Sequence, residues 1–64
     1  MDVRFTDHGT IVLLEPLTEA AQEWVADNIS PDAQTWAGSI VVEPRYVENI
    51  VLGMQDDGLA IEIE

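Results

Sequence analysis

Thr10–Asn28 reads TIVLLEPLTEAAQEWVADN, and its interpretation decides the fold. The first five residues, Thr10–Leu14, are strand formers. Glu15-Pro16 interrupts them. Leu17, Ala20, Ala21, Trp24, Val25 and Ile29 then recur at the i, i+3, i+4, i+7, i+8 spacing of one helix face. Thr18 is placed to cap the helix, or Pro16 to occupy its first position, and the helix is expected over residues 17–28.

The same grammar returns downstream. Ser39–Val42, SIVV, is a second strong strand, and Glu43-Pro44 ends it. IVLLEP and SIVVEP, offset by 28 residues, form a weak internal echo of strand, Glu-Pro and helix. Tyr46, Val47, Ile50, Val51 and Met54 make the apolar face of a second helix. Asp57-Gly58 closes it, with Gly at the position that favours a left-handed cap. Outward from this centre, Val3–Phe5 is a short strand and Thr6-Asp7-His8-Gly9 a turn, so the chain is expected to open with a hairpin. Ser30-Pro31-Asp32-Ala33 reads as a cap and one short helical turn, leaving Trp36 in an irregular segment ended by Gly38. Leu59–Glu64 alternates apolar and polar, the mark of a strand with one covered face.

The element order is therefore β-β-α-β-α-β. The expected fold is α+β, a small sheet of three or four strands with two amphipathic helices on one face. Residues 1–64 are expected to form a single domain. With both helices on one side, Val12, Leu14 or Val41 could face outward on the other.

Composition narrows the function. The 64 residues contain 13 acids, two arginines, no lysine and no cysteine, for a net charge of −11. An apolar content of 47%, in a clear pattern, separates the chain from charged disordered segments. Direct binding to DNA or an anionic membrane needs basic surface, which is missing. The longest apolar run, Ile11–Leu14, is too short for a membrane span, and the start lacks a signal peptide's order. A soluble, cytoplasmic protein is expected, a monomer or else a dimer.

No catalytic constellation can be assembled. The one histidine, His8, sits in a turn, and no nucleophile–base set is available. Asp56-Asp57-Gly58 lacks the alternating ligands and closing Glu of a calcium loop. No enzyme activity, no metal and no cofactor are expected.

The distinctive feature is the placement of acids. Glu15, Glu19, Glu23 and Asp27 fall at every fourth position, with no base among them. On a helix this lines like charges along one side, about 6 Å apart, which is mildly destabilising. Asp27, Asp56 and Asp57 also sit at helix C-termini, where cations are favoured. A solvated face normally interleaves Lys with Glu. A small domain that accepts such costs has a use for the charge, and the expected partner is a basic nucleic-acid-binding surface. Asp32 and Glu48 extend the candidate set to Glu15, Glu19, Glu23, Asp27, Asp32, Glu48, Asp56 and Asp57. The competing reading is an antitoxin-like or prophage accessory module. It would bind through apolar surface such as Leu52, Trp36 or an open sheet face, with the acids serving solubility.

With LTEAAQEWVAD and VEPRYVENIVLGMQDDG in a short, cysteine-free, strongly acidic chain, the sequence resembles the small phage-borne anti-CRISPR proteins. The likeness is to those that block type I surveillance complexes, type I-C among them. It covers the whole chain as a profile. The resemblance implies inhibition of DNA binding by the Cascade complex in the host cytoplasm, through DNA mimicry.

Overall fold

The computed structural model describes residues 1–64. Seven elements follow one another: β1 (Val3–Asp7), β2 (Val12–Pro16), α1 (Glu19–Asn28), β3 (Thr35–Trp36), β4 (Ser39–Val42), α2 (Pro44–Asp56) and β5 (Ile61–Ile63). The α+β class and the two helices match the sequence reading. The sheet has five strands, not three or four, in the order β3-β4-β2-β1-β5. The extra strand is Thr35–Trp36, which pairs antiparallel with β4 across a two-residue turn. Ala37 (φ 51) and Gly38 (φ 85) both take positive φ there, the geometry that matches the twist of a tight hairpin.

β1 and β2 form the expected hairpin, but two residues later along β2 than the β-formers indicate. The turn is wider, closed by the His8 N–H donating to the Ile11 carbonyl at 2.9 Å. Glu15 and Pro16 do not break the strand; they belong to it. Val3 and Pro16 are opposite, and the next bond along is Leu17 N–H to Asp2 carbonyl at 2.7 Å. By alternation the Pro16 nitrogen then points away from β1, toward the side where β4 no longer pairs with β2. A missing donor costs little in that position.

The echoed segments lie side by side. Val12, Leu13 and Leu14 of β2 oppose Val42, Val41 and Ile40 of β4 at the centre of the sheet. Each leads into a crossover helix. From the pairing directions, β2 and β3 run the same way on either side of β4. Likewise β4 and β5 run the same way on either side of β2 and β1. Both helices therefore pack on one face of the sheet.

Pleating assigns the faces. Val3, Phe5, Val12, Leu14, Ile40 and Val42 point to the helices and are buried with Ala21 and Met54. Trp24, Val25, Ile29, Val47, Ile50 and Val51 pack around that cluster. The registers put Val12 and Leu14 inside, so only Leu13 and Val41 among these residues occupy the opposite face. Trp24 lies at the edge of the core rather than within it. Its ring contacts the α2 backbone at Gly53, where an added Cβ would lie 3.2 Å from Cζ2. Its Nε1 donates to Asp57 Oδ2 at 2.6 Å.

The helix ends have the expected chemistry. Thr18 Oγ1 accepts the Ala21 N–H at 3.2 Å and donates to Asp2 Oδ1 at 2.8 Å. Asp2 Oδ2 accepts the Ala60 N–H at 2.9 Å. One carboxylate thus ties together the starts of β1, α1 and β5. α2 ends in a Schellman arrangement, with Leu59 N–H on the Met54 carbonyl and Gly58 N–H on that of Gln55, both at 3.0 Å. Gly58 takes φ 85 to permit it. Ser30–Ala33 forms a turn rather than a helical turn of its own.

Candidate acidic interface

α1 presents its polar side outward because Ala21, Val25 and Trp24 are drawn to the core and to α2. Glu19, Glu23 and Asp27 are exposed, with neither a hydrogen bond nor an ion pair from their side chains. The ladder spans about 12 Å along the axis, at about 6 Å per step. It also drifts around the helix. Counted from Trp24, which faces α2, Asp27 lies about 60° away, Glu23 about 100° and Glu19 about 140°.

α2 contributes a second set. Glu48 and Asp56 are exposed and unpaired, with Leu52, 52% exposed, between them. Counted from Gly53, which faces Trp24, Asp56 lies about 60° away and Glu48 about 140°. Asp56 therefore belongs near the inter-helix seam and Glu48 to the outer flank. Asp32, also exposed, lies in the turn that follows α1. The outer side of the two helices thus carries Glu19, Glu23, Asp27, Glu48 and Asp56, and Asp32 adds a sixth exposed carboxylate in the turn after α1; none of the six is matched by a base.

Two of the expected interface acids have other employment. Glu15 is not on the helix. It lies on β2, on the sheet face away from the helices, opposite Arg4. The fourfold spacing that joined it to the ladder crosses a strand–helix boundary and has no spatial meaning there. Asp57 accepts the Trp24 indole N–H, so it serves as a tie between the helices.

Both arginines are also taken. Arg4 Nε lies 3.1 Å from Glu62 and 3.8 Å from Glu64, and its Nη1 lies 3.5 Å from Glu15. The hydrogen bond to Glu62, followed by the charge of Glu64, raises the Arg4 pKa above its ordinary value. Arg45 pairs with Glu43 at 3.0 Å and stacks over Tyr46, 4.8 Å from the ring centroid. No cationic side chain remains to offset the six free acids.

Asp2 is the structurally engaged acid that sequence reasoning missed. Its pKa lies below the ordinary value, chiefly through the Ala60 N–H and then through the Thr18 hydroxyl. Its partners are 16 and 58 residues away in the chain, so no local pattern marks it. No group of three His, Cys, Asp or Glu side chains is arranged to hold a metal ion. No helix is long and apolar enough to cross a membrane.

Comparison with protein-family models, curated proteins and solved structures returns no match.

Proposed function

We propose that this protein is an acidic inhibitor that occupies the nucleic-acid-binding surface of a basic protein or complex and keeps the real ligand out. The observation that carries this reading is the outer side of the two helices, where five exposed carboxylates stand with no base among them, and Asp32 lies exposed and unpaired in the adjoining turn. A step of about 6 Å along α1 is close to two phosphate intervals of about 3.4 Å each along one DNA strand. Acids on α2 and at Asp32 widen the row into a surface. Complementary charge of this density gives fast, salt-sensitive association.

The target follows from the resemblance: a type I Cascade complex, whose DNA-binding channel is basic. The test is direct. Purified Cascade is mixed with increasing amounts of the protein, and binding of a matched double-stranded DNA is measured at several salt concentrations. The proposal expects DNA binding to fall with added protein, most strongly at low salt. Unchanged DNA binding, with no complex formed, would remove Cascade as the target. The same titration against other basic DNA-binding enzymes would then decide whether mimicry survives with a different partner.

The apolar-module reading keeps one specific support. Trp36 and Leu52 are 64% and 52% exposed, and Leu52 sits within the acidic surface. In that reading the contact runs through these side chains, and charge neutralisation leaves binding largely intact.

A further inference from the structure

The chain has one Phe, one Tyr and two Trp, and every one of these rings except Trp36 has an occupation. Phe5 is fully buried. Trp24 packs on Gly53 and donates to Asp57. Tyr46 carries the Arg45 guanidinium on its face. Trp36 is 64% exposed and its indole donates no hydrogen bond. It stands on a hairpin whose first turn residue, Ala37, is held at φ 51, where a non-glycine residue is strained.

The registers place Trp36 on the sheet face opposite the helices. Trp36 pairs with Ser39, and Ser39 shares a face with Val41, which opposes Leu13. Trp36, Val41, Leu13 and Ile11 make the apolar lining of an open cleft of about 430 Å³, and His8, Thr10 and Gln34 its polar lining. The other half of the same sheet face carries Glu15, Glu62 and Glu64 against the single Arg4, so that half is net negative as well.

We propose that this cleft receives an arginine or lysine side chain from a basic protein partner. The methylene stem would lie over Leu13 and Val41, and the cationic head would stack on Trp36. Charge selects this occupant. With a net charge of −11, a second copy of the chain or an acidic segment is repelled. A purely apolar side chain would use the apolar lining but gain nothing from the field. Long basic side chains bury their stems and keep the head at a polar edge, and a cation over an indole face is favoured. The chain already makes this contact once, between Arg45 and Tyr46. Arginine is preferred, because its planar head stacks as well as pairs. The site is independent of the acidic helical surface, so a partner gripping both would hold the protein from two sides.

The test uses the full chain labelled with ¹⁵N and titrated with an acetylated, amidated tetra-arginine peptide at near-physiological salt. A tetra-citrulline peptide, of similar shape but neutral, is the control. The expected result is a shift of the Trp36 indole N–H resonance and of the Leu13 and Val41 amides, with the Trp24 indole unmoved. Tetra-citrulline should produce little shift. Trp36→Leu should weaken the effect at Leu13 and Val41 by about three- to tenfold, and Trp36→Phe by less. Neutralising Glu19, Glu23 and Asp27 should leave the shift pattern at the cleft in place, which separates this site from the mimicry surface. Three results would overturn the proposal: shifts confined to α1 and α2, equal response to citrulline, or a Trp36→Leu variant that binds like the wild type.

Discussion

Asp27→Lys should make the protein more stable, and the size of the gain can be worked from the geometry. Asp27 lies in the last turn of α1, where there is no base, and its side chain has no hydrogen bond. Three terms favour the change. Removing the Glu23–Asp27 repulsion is worth about 0.2–0.5 kcal/mol. The introduced cation, one turn after Glu23, completes an acid–base pair in the favoured order and adds a similar amount, about 0.2–0.5 kcal/mol. A cation in place of an anion at the C-terminal end of the helix contributes about 0.3–1 kcal/mol. Even at their lower ends these reach about 0.7 kcal/mol, or a rise of about 3–6 °C in Tm for a domain this size. Asp56→Lys has no acid one turn earlier, only Leu52, so it should gain the dipole term alone, about 0.3–1 kcal/mol. Asp57→Lys should gain less than Asp56→Lys, because it surrenders the bond from Trp24 Nε1. Thermal melts at about 10 mM and about 1 M salt decide the matter. The screening length falls from about 30 Å to about 3 Å between them, so most of each gain should vanish at high salt. No gain for Asp27→Lys and Asp56→Lys at low salt, or gains that salt does not touch, would refute the claim that these acids carry an electrostatic cost.

Other substitutions probe the scaffold. Gly53→Ala should gain about 1 kcal/mol of helix propensity, yet its new methyl meets Trp24 at 3.2 Å, and Trp24 is pinned by Asp57. Overpacking of this kind costs about 1–3 kcal/mol, so urea melts should show no gain in the wild type but about 1 kcal/mol gained in a Trp24→Leu background. Ala37→Gly relieves a left-handed alanine, and the released strain less the added chain entropy should leave a gain of about 0.5–1 kcal/mol in the same assay. Asp2→Ala should destabilise at pH 7, since a carboxylate whose folded pKa is depressed stabilises above its unfolded value. That deficit should shrink as pH falls through the lowered Asp2 value, as urea melts across an acid series would show.

The two helices were legible because their apolar periodicities are clean and their caps, Thr18 and Gly58, carry standard chemistry. The hairpin was legible in kind but not in register. Thr10 and Ile11 are good strand formers, yet the turn absorbed them, and Pro16 joined β2 because its missing N–H faces an unpaired side. β3 escaped notice because two residues, Thr35 and Trp36, show no periodicity; only the paired Ser39 and Ile40 make them a strand. At the candidate interface, the sequence marks Glu19, Glu23, Asp27, Asp32, Glu48 and Asp56 as candidate contacts, and the structure leaves their side chains exposed and without partners in the chain. Glu15 falls outside the ladder because β2 extends through it, whereas Asp57 stands at the end of α2 as expected. What spacing along the chain does not show is that each has a partner: Arg4 and Trp24 are brought to them by tertiary structure.

The central claim is that the unpaired acids of the helical layer contact a basic DNA-binding surface. Its most direct test replaces Glu19 and Glu23 with Gln and Asp27 with Asn, which keeps side-chain size and removes three charges. DNA binding by purified Cascade, the proposed target, is then measured with the wild type, the triple variant and Leu52→Ala, each first shown to be folded. Mimicry predicts that the triple variant loses most of its inhibition while Leu52→Ala retains most of it. A triple variant that inhibits like the wild type, beside a Leu52→Ala that does not, would contradict it and move the contact to apolar surface.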